Sequence, residues 1–165
     1  DPATKMGPLA STSRRAEVQA HVDRGLADGS TLALGGHSVE LSGPLAGGAY
    51  YEPTVFINVN PDSALAQEEI FGPVLSVTTV SSDEEAIRVA NNSDYGLAAG
   101  LWTANVSKVH RLARQIRAGT VWVNCYEEGD LTVPFGGFKM SGNGRDKSRH
   151  ALDKYTELKT TYIKL

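Results

Sequence analysis

The chain has 165 residues, of which 16 are lysine or arginine and 19 are aspartate or glutamate, giving a formal net charge of −3. This is the length of one ordinary domain and too short for a complete two-domain enzyme. A negative chain offers no strong positive field to a nucleic acid, and no apolar run approaches the roughly 20 residues that span a bilayer, so neither a nucleic-acid nor a membrane partner is predicted.

The first half of the chain predicts one amphipathic helix followed by short strands. Val18, Val22 and Leu26 recur at helical spacing within residues 11–29, where hydroxyl side chains precede the first turn and Gly29 marks the end. A short strand is predicted next, and a change to a period of two predicts two more. The three strands are predicted over residues 31–34, 55–59 and 74–80.

The second half alternates helices and strands. Residues 82–85 read S-D-E-E, the S-x-x-E form of a capping box, and predict a helix that ends at Asn91. A second apolar stripe at helical spacing begins at Val109 and stops before Gly119. A buried strand is predicted over residues 97–102 and a further strand over residues 121–123. This order favours an α/β fold with a mostly parallel sheet and flanking helices.

The last forty residues predict a shaped loop, a helix and a terminal strand. Residues 127–145 contain five glycines and one proline, which is typical of a loop with special backbone angles. Residues 136–144 lack the spacing of a phosphate-binding or dinucleotide motif, so close packing of permissive backbone is the favoured interpretation. Residues 146–155 predict a helix, and residues 158–165 predict an edge strand that needs a partner.

Cys125 is the only thiol of the chain. It excludes an internal disulfide and a cysteine-rich zinc site, and it is compatible with a reducing cytoplasm. The residue ends the buried-strand pattern V-W-V-N-C-Y, which favours an inert thiol over a nucleophile. The four histidines lack ligand spacing, so no metal site is predicted.

Glu69 and Phe71 lie just before a rigid Gly-Pro corner and a predicted strand. A carboxylate accepts hydrogen bonds from both hydroxyls of a ribose, and a phenyl ring two residues later covers the apolar face of a heterocycle. Spacing alone favours the simpler alternative, an exposed acidic pair followed by a core phenylalanine.

Several strings in order resemble the C-terminal third of the NAD(P)-dependent aldehyde dehydrogenase superfamily. The glycine-rich end and the tail look most like its γ-glutamyl-γ-aminobutyraldehyde dehydrogenase branch. Because the sequence begins at Asp1, without an initiator methionine, we expect a piece of a longer protein. The matching strings are D-P-A-T-K-M-G-P-L, Y-E-P-T-V-F, E-E-I-F-G-P-V, A-N-N-S-D-Y-G-L-A-A, A-G-T-V-W-V-N and P-F-G-G-F-K-M-S-G-N-G-R.

The resemblance implies oxidation of an aldehyde to a carboxylic acid with NAD or NADP, through a cysteine thioester. It places the nucleophilic cysteine and the glutamate base upstream of this chain, so the isolated chain is expected to be inactive. Glu69 matches the glutamate that binds the nicotinamide ribose, and Phe71 matches the aromatic residue near the nicotinamide. Phe135 matches the aromatic lining of the substrate tunnel, and Tyr126 begins the loop that shapes substrate entry.

The resemblance also implies an organisation and a partner. Residues 1–155 would form the C-terminal portion of the catalytic domain, and residues 156–165 an oligomerisation strand that pairs with another subunit of a cytoplasmic homo-oligomer. Two other classes stay open: a folded interaction module without catalysis, and a small thiol enzyme that uses Cys125.

Two further charged groups lie near these residues. Arg14 is close to a helix start where some relatives have a polar residue that contacts the cofactor. Glu127, Glu128 and Asp130 lie beside the expected tunnel mouth, where an inward carboxylate would favour an aldehyde with a distant ammonium group. A solvated acidic loop is the alternative.

Overall fold

The computed structural model describes residues 3–165, and its chain divides into two compact units, one ending at Val80 and the other beginning at Ser81. Each unit combines helices with short strands, so the chain is mixed α/β, as predicted. Within the described residues, no helix has the length and apolar character needed to cross a membrane.

The first unit builds a small sheet against one long helix. Strands β1 and β4 pair antiparallel, and β4 pairs parallel with β5, which gives the strand order β1-β4-β5. Strands β2 and β3 form a separate antiparallel pair. The elements are α1 (Thr12–Ala27), β1 (Thr31–Leu34), β2 (Ser38–Val39), β3 (Tyr50–Tyr51), β4 (Thr54–Ile57), α2 (Ala64–Gln67) and β5 (Val74–Ser76).

Helix α1 is where the apolar spacing predicted it. Ser11 is its N-cap, and the Ser11 hydroxyl accepts a hydrogen bond of 3.1 Å from the Arg14 backbone N–H. Val18 and Val22 are buried by the sheet and by α2, and they belong to the core of this unit. The core is formed by Val18, Val22, Tyr51, Phe56, Val59 and Leu65.

Tyr51 brings a hydroxyl into this core. Its hydroxyl donates toward Gln19 Oε1 at 2.9 Å and the carbonyl oxygen of Gly36 at 3.0 Å. The Gly36 N–H donates in turn to Thr54 Oγ1 at 2.9 Å. Burial raises the pKa of Tyr51 to about 12, and the nearby negative charge of Asp23 adds to this shift.

The raised pKa of Tyr51 predicts a loss of stability in alkali. The unfolded tyrosine loses its proton near pH 10 and the folded one near pH 12, so the stabilisation is complete below pH 10 and is lost as the pH rises to about 12. We expect Tyr51→Phe to lower the free energy of unfolding by about 1 kcal/mol below pH 10. The gap between the two proteins should narrow toward pH 12 in urea titrations followed by circular dichroism. Parallel stability curves for the two proteins would contradict the assignment.

The second unit pairs two helices with two small sheets. Strand β7 runs parallel to β8, and β6 runs antiparallel to β9. The elements are α3 (Asp83–Asn91), β6 (Tyr95–Gly96), β7 (Ala98–Leu101), α4 (Val106–Ala113), β8 (Thr120–Val123), β9 (Phe138–Lys139) and a 3₁₀ helix (Arg149–Lys154).

The predicted start of α3 is confirmed, with one difference in the cap. Ser82 Oγ accepts from the Glu85 backbone N–H at 3.1 Å, as a capping box requires. The Glu85 carboxylate reaches Ser81 instead of Ser82 and accepts from its N–H at 2.8 Å and its hydroxyl at 2.6 Å. These bonds to Ser81 lower the pKa of Glu85.

Two elements predicted for the second unit differ from those in the structure. The strand expected to be buried over residues 97–102 forms as β7, but it is only partly covered, and Trp102 is 62% exposed. The helix expected over residues 146–155 is a 3₁₀ helix that begins at Arg149, because Lys147 and Ser148 have positive φ angles, which an α-helix excludes.

The predicted mostly parallel sheet and terminal strand are not confirmed. Parallel pairing joins β4 to β5 and β7 to β8, whereas the other strand pairs are antiparallel. Residues 156–165 have no regular secondary structure. A strand exists only where a second strand satisfies its backbone groups, so pairing of this segment with another chain stays a prediction.

Candidate functional site

The segment from Glu69 to Pro73 alternates between the core and the surface. Ile70 packs against the core of the first unit, whereas Glu69 and Phe71 on either side of it are exposed. The Gly72 N–H donates to the carbonyl oxygen of Ile70 at 2.8 Å, which tightens the turn. Pro73 is held on β4, because its carbonyl oxygen accepts from the Thr54 N–H at 2.8 Å. The core therefore fixes the backbone from which both candidate cofactor residues project.

The two adjacent glutamates have different environments. Glu68 forms a two-pronged ion pair with Arg24 of α1, with N–O distances of 3.1 and 2.7 Å. This hydrogen bonding lowers the pKa of Glu68. Among the described residues, the Glu69 side chain has no hydrogen bond or ion pair, and it is exposed. Glu68 thus ties the segment to α1, while the carboxylate of Glu69 is available to a ligand.

Phe71 is a surface residue, and the alternative of a core phenylalanine is wrong. Its side chain is 64% exposed. The guanidinium carbon of Arg14 lies 5.6 Å from the centroid of its ring, and Arg14 is also ion-paired to Glu17 at 2.5 Å. Arg14 therefore lies beside Phe71, two residues after Glu69, in the first unit. The sequence alone did not establish this position of Arg14.

A hollow of about 390 Å³ lies beside Phe71. An exposed apolar ring and a free carboxylate near a hollow fit the chemistry of a nicotinamide riboside, because the ring offers an apolar face and the carboxylate accepts from hydroxyls. Sequence reasoning missed Tyr51 and the turn before α1 as walls of this hollow. The lining residues are Met6, Gly7, Pro8, Leu9, Ala10, Tyr51, Phe71, Gly72 and Pro73.

A second pocket, of about 330 Å³, lies in the second unit beside Phe135. Phe135 lines it, and its role as a substrate residue stays a prediction. Tyr126 does not line it, but packs at a tilt on the Trp122 ring with centroids 5.1 Å apart. The lining residues are Thr120, Trp122, Glu127, Glu128, Gly129, Val133, Pro134, Phe135 and Lys147.

Close backbone packing positions Phe135, which confirms the interpretation of the glycine-rich loop. Phe135 and Asp146 form two backbone hydrogen bonds of 2.8 and 2.6 Å. A Cβ atom added to Gly119, just before β8, would lie 1.6 Å from the carbonyl oxygen of Gly136. Arg145 donates to the Gly137 carbonyl oxygen at 3.0 Å. The loop therefore packs against Gly119 through a contact between backbones that leaves no room for a side chain at residue 119.

The acidic loop, residues 127–130, is held by hydrogen bonds within the second unit. The Trp122 indole N–H donates to the carbonyl oxygen of Glu128 at 2.6 Å. Asp130 accepts from the Thr132 N–H at 2.6 Å, and this bonding lowers the pKa of Asp130. Glu127 and Glu128 line the pocket, whereas the Asp130 carboxylate braces the loop. The predicted preference for ammonium-bearing aldehydes now concerns Glu127 and Glu128 alone, and the Lys147 side chain that lines the same pocket acts against it.

Sequence reasoning missed Lys147 as a pocket residue. Its ammonium lies 5.5 Å from the Phe135 ring centroid. The only signal in the sequence was its position shortly after the glycine-rich loop.

The thiol and the histidines do not form a second centre in the described residues. The sequence predicted a buried Cys125, whereas the structure shows this side chain only partly buried. Residues 3–165 contain no group of three or more histidine, cysteine, aspartate or glutamate side chains placed to bind a metal ion.

Comparison with known proteins gives consistent matches. Residues 1–161 match the aldehyde dehydrogenase family. The NADP/NAD-dependent aldehyde dehydrogenase PuuC of Escherichia coli (strain K12) is 48% identical over 165 residues, which cover 100% of this chain and 32% of that protein.

Solved structures of aldehyde dehydrogenases are also similar to this chain in fold and sequence. The crystal structure of an indole-3-acetaldehyde dehydrogenase complexed with NAD+ gives a TM-score of 0.92 at 57% identity, covering 100% of this chain and 33% of that one. The aldehyde dehydrogenase KauB from Pseudomonas aeruginosa gives 0.91 at 53% identity, with the same coverage. The chain therefore spans about a third of the length of the relatives it matches.

Proposed function

Because this chain belongs to the aldehyde dehydrogenase family, we propose that it is part of an NAD(P)-dependent oxidoreductase that converts an aldehyde to a carboxylic acid. The observation that carries the proposal is the pair of exposed side chains, Glu69 and Phe71, held on either side of Ile70, which is partly buried and packs against the core. We infer that the unpaired carboxylate and the exposed aromatic ring, which borders the hollow, form a binding surface for the coenzyme.

In the proposed enzyme, the first unit orients the coenzyme. The Glu69 carboxylate accepts hydrogen bonds from the ribose hydroxyls, and the Phe71 ring packs near the nicotinamide. The Arg14 guanidinium lies over the Phe71 ring, with its carbon 5.6 Å from the centroid. When bound, the nicotinamide supplies hydride acceptance. Fixing its ribose at a core-supported segment restricts the orientation of the ring, which is how positioning raises a rate.

The second unit contributes the wall of the substrate site. Phe135 lines the pocket, and the Tyr126 ring supports Trp122 at its edge. An aromatic wall excludes water from the aldehyde chain. We place the nucleophilic cysteine and the general base in polypeptide outside this chain, so we expect the isolated chain to be inactive.

The terminal segment is the proposed oligomerisation element. Leu158, Tyr162, Ile163 and Leu165 are largely exposed, which supports their burial against another subunit. We propose that residues 1–155 belong to a catalytic domain whose complete sheet is mostly parallel, and that residues 156–165 pair as a strand in a homo-oligomer. A cytoplasmic location is part of the same proposal, since the single thiol of this chain is compatible with a reducing compartment. The same exposed residues favour the second candidate, an interaction module without catalysis.

The proposal is tested by replacing Glu69 with glutamine in the full-length enzyme. The variant keeps the size of the side chain but loses the charge that strengthens hydrogen bonds to hydroxyls. Since hydrogen bonds to charged groups contribute about 1.5–3 kcal/mol, we expect the KM for NAD+ to rise about tenfold or more. Steady-state formation of NADH with a saturating aldehyde measures this change.

Glu68→Gln is the matched control, because Glu68 is the adjacent glutamate but its carboxylate is bound to Arg24. We expect this variant to leave the KM for NAD+ unchanged. Equal effects of the two substitutions would contradict the proposed contact with the ribose. A full-length protein that forms no NADH or NADPH with any aldehyde would favour the interaction module instead.

A further inference from the structure

Lys147 has a backbone conformation that lysine rarely adopts. Its φ angle is 60°, and that of the following Ser148 is 49°, both in the left-handed region. Such positions cost free energy for residues other than glycine and persist only where the surrounding structure fixes them. The flanking residues supply this restraint, because Asp146 bonds to Phe135 in both directions and the Ser148 N–H donates to the Leu131 carbonyl oxygen at 2.7 Å.

The restrained backbone directs the Lys147 side chain to the pocket in the second unit. Its ammonium lies 5.5 Å from the centroid of the Phe135 ring, at a distance where the negative face of the ring attracts a cation. A Cβ atom added to Gly129 would lie 3.8 Å from the same nitrogen. The ammonium is therefore placed between the pocket aromatic and the acidic loop, and it lines the pocket.

The Lys147 ammonium differs from those of the other three lysines that precede the terminal segment of the second unit. Within residues 3–165, Lys147 has no ion pair within 4.0 Å. The others are bound by protein groups: Lys108 by Asp83, Lys139 by the carbonyl oxygens of Asn91 and Ser93, and Lys154 by Asp146. Lys147 thus directs an unpaired positive charge at the pocket.

None of the described carboxylates near Lys147 forms an ion pair with its ammonium. Glu127 and Glu128 are exposed, and solvated carboxylates on a loop discriminate weakly between ligands. The Asp130 carboxylate accepts from the Thr132 N–H, and the charge of Lys147 attracts it without forming an ion pair within 4.0 Å. Lys147 is exposed as well, but its backbone is fixed on both sides and its ammonium lies against the Phe135 ring, so its ordering on a ligand costs less than that of the two glutamates.

We propose that Lys147 is a specificity-determining residue that binds a carboxylate at the far end of the aldehyde substrate. The proposal rests on the proposed function, since it assigns a substrate class to the pocket of that enzyme. An ammonium at this position forms a charge-assisted hydrogen bond with a carboxylate and repels a distal ammonium group. The preferred substrate is then an aldehyde that carries a distal carboxylate.

The test compares three aldehydes of similar length in the full-length enzyme: 4-oxobutanoate, uncharged butanal and 3-aminopropanal. For Lys147→Met, we expect kcat/KM for 4-oxobutanoate to fall about tenfold or more, mainly through KM, because one charge-assisted hydrogen bond is lost. Butanal should be unaffected, and 3-aminopropanal should improve. Lys147→Arg should keep the preference for 4-oxobutanoate, and Lys108→Met, which changes a lysine paired elsewhere, should leave all three substrates unchanged.

The outcomes separate the two proposals. An unchanged kcat/KM for 4-oxobutanoate in Lys147→Met overturns the role of Lys147, even if the wild-type enzyme oxidises all three aldehydes. An equal loss with all three substrates, accompanied by a lower melting temperature, assigns Lys147 a structural role and also overturns the proposal. If the wild-type protein oxidises none of the aldehydes with NAD+ or NADP+, the proposed function fails, and this inference fails with it.

Discussion

Replacing Gly119 with alanine is expected to lower the free energy of unfolding of the second unit by about 3 kcal/mol or more. The added Cβ would lie 1.6 Å from the Gly136 carbonyl oxygen, so one of the two backbones must move. Gly119 is followed directly by β8, and Gly136 follows Phe135. Movement at this contact therefore disturbs both the parallel pair β7-β8 and the pocket wall.

Tryptophan fluorescence during urea unfolding measures this change, because both tryptophans of the chain, Trp102 and Trp122, belong to the second unit. Gly129→Ala is the matched control, since its Cβ would meet only the end of the flexible Lys147 side chain at 3.8 Å. We expect the control to unfold at the wild-type urea concentration. An unchanged free energy of unfolding in Gly119→Ala would mean that the backbones at Gly119 and Gly136 can move apart at no cost, and it would contradict this prediction.

Replacing Phe56 with alanine is expected to cost the first unit about 3–5 kcal/mol. Phe56 is fully buried at 0% exposure and packs with Val18, Val22 and Leu65. Its removal takes apolar surface out of the core and leaves a cavity under the sheet. Because β4 also holds Pro73, the loss extends to the segment that carries Glu69 and Phe71.

Phe71→Ala is the control for this change, because it removes the same ring from a surface position. We expect it to change the free energy of unfolding by about 0.5 kcal/mol or less, as for an exposed site. In the full-length enzyme, it should instead raise the KM for NAD+. Hydrogen exchange of the α1 amides distinguishes the two variants, and equal loss of protection in both would contradict the division into a core and a surface phenylalanine.

The local elements of both units followed from sequence because their signals are local. The cap at Ser11 and the apolar spacing after it define α1, and the cap at Ser82 defines α3. Strand β1 matches residues 31–34 as predicted. The end of the chain was harder, because the helix expected there is limited by positive φ angles at Lys147 and Ser148, which no pattern of residue types indicates.

The candidate site was predictable only in part. The family resemblance identified Glu69, Phe71 and Phe135, and the structure exposes the first two and places the third on a pocket wall. It did not indicate which of the two adjacent glutamates is free. That difference depends on Arg24, which lies 44 residues from Glu68 in sequence and beside it in the fold.

The sequence by itself determined the family, the mixed α/β class, the main helices and the residue types of the site, because helix caps, apolar periods and family strings are read over a few neighbouring residues. Only the tertiary structure decided which of those residues are accessible and which are engaged. It paired Glu68 with α1, left Glu69 exposed, and brought Lys147 over Phe135. Such relations depend on contacts between segments far apart in the chain, and no local pattern encodes them.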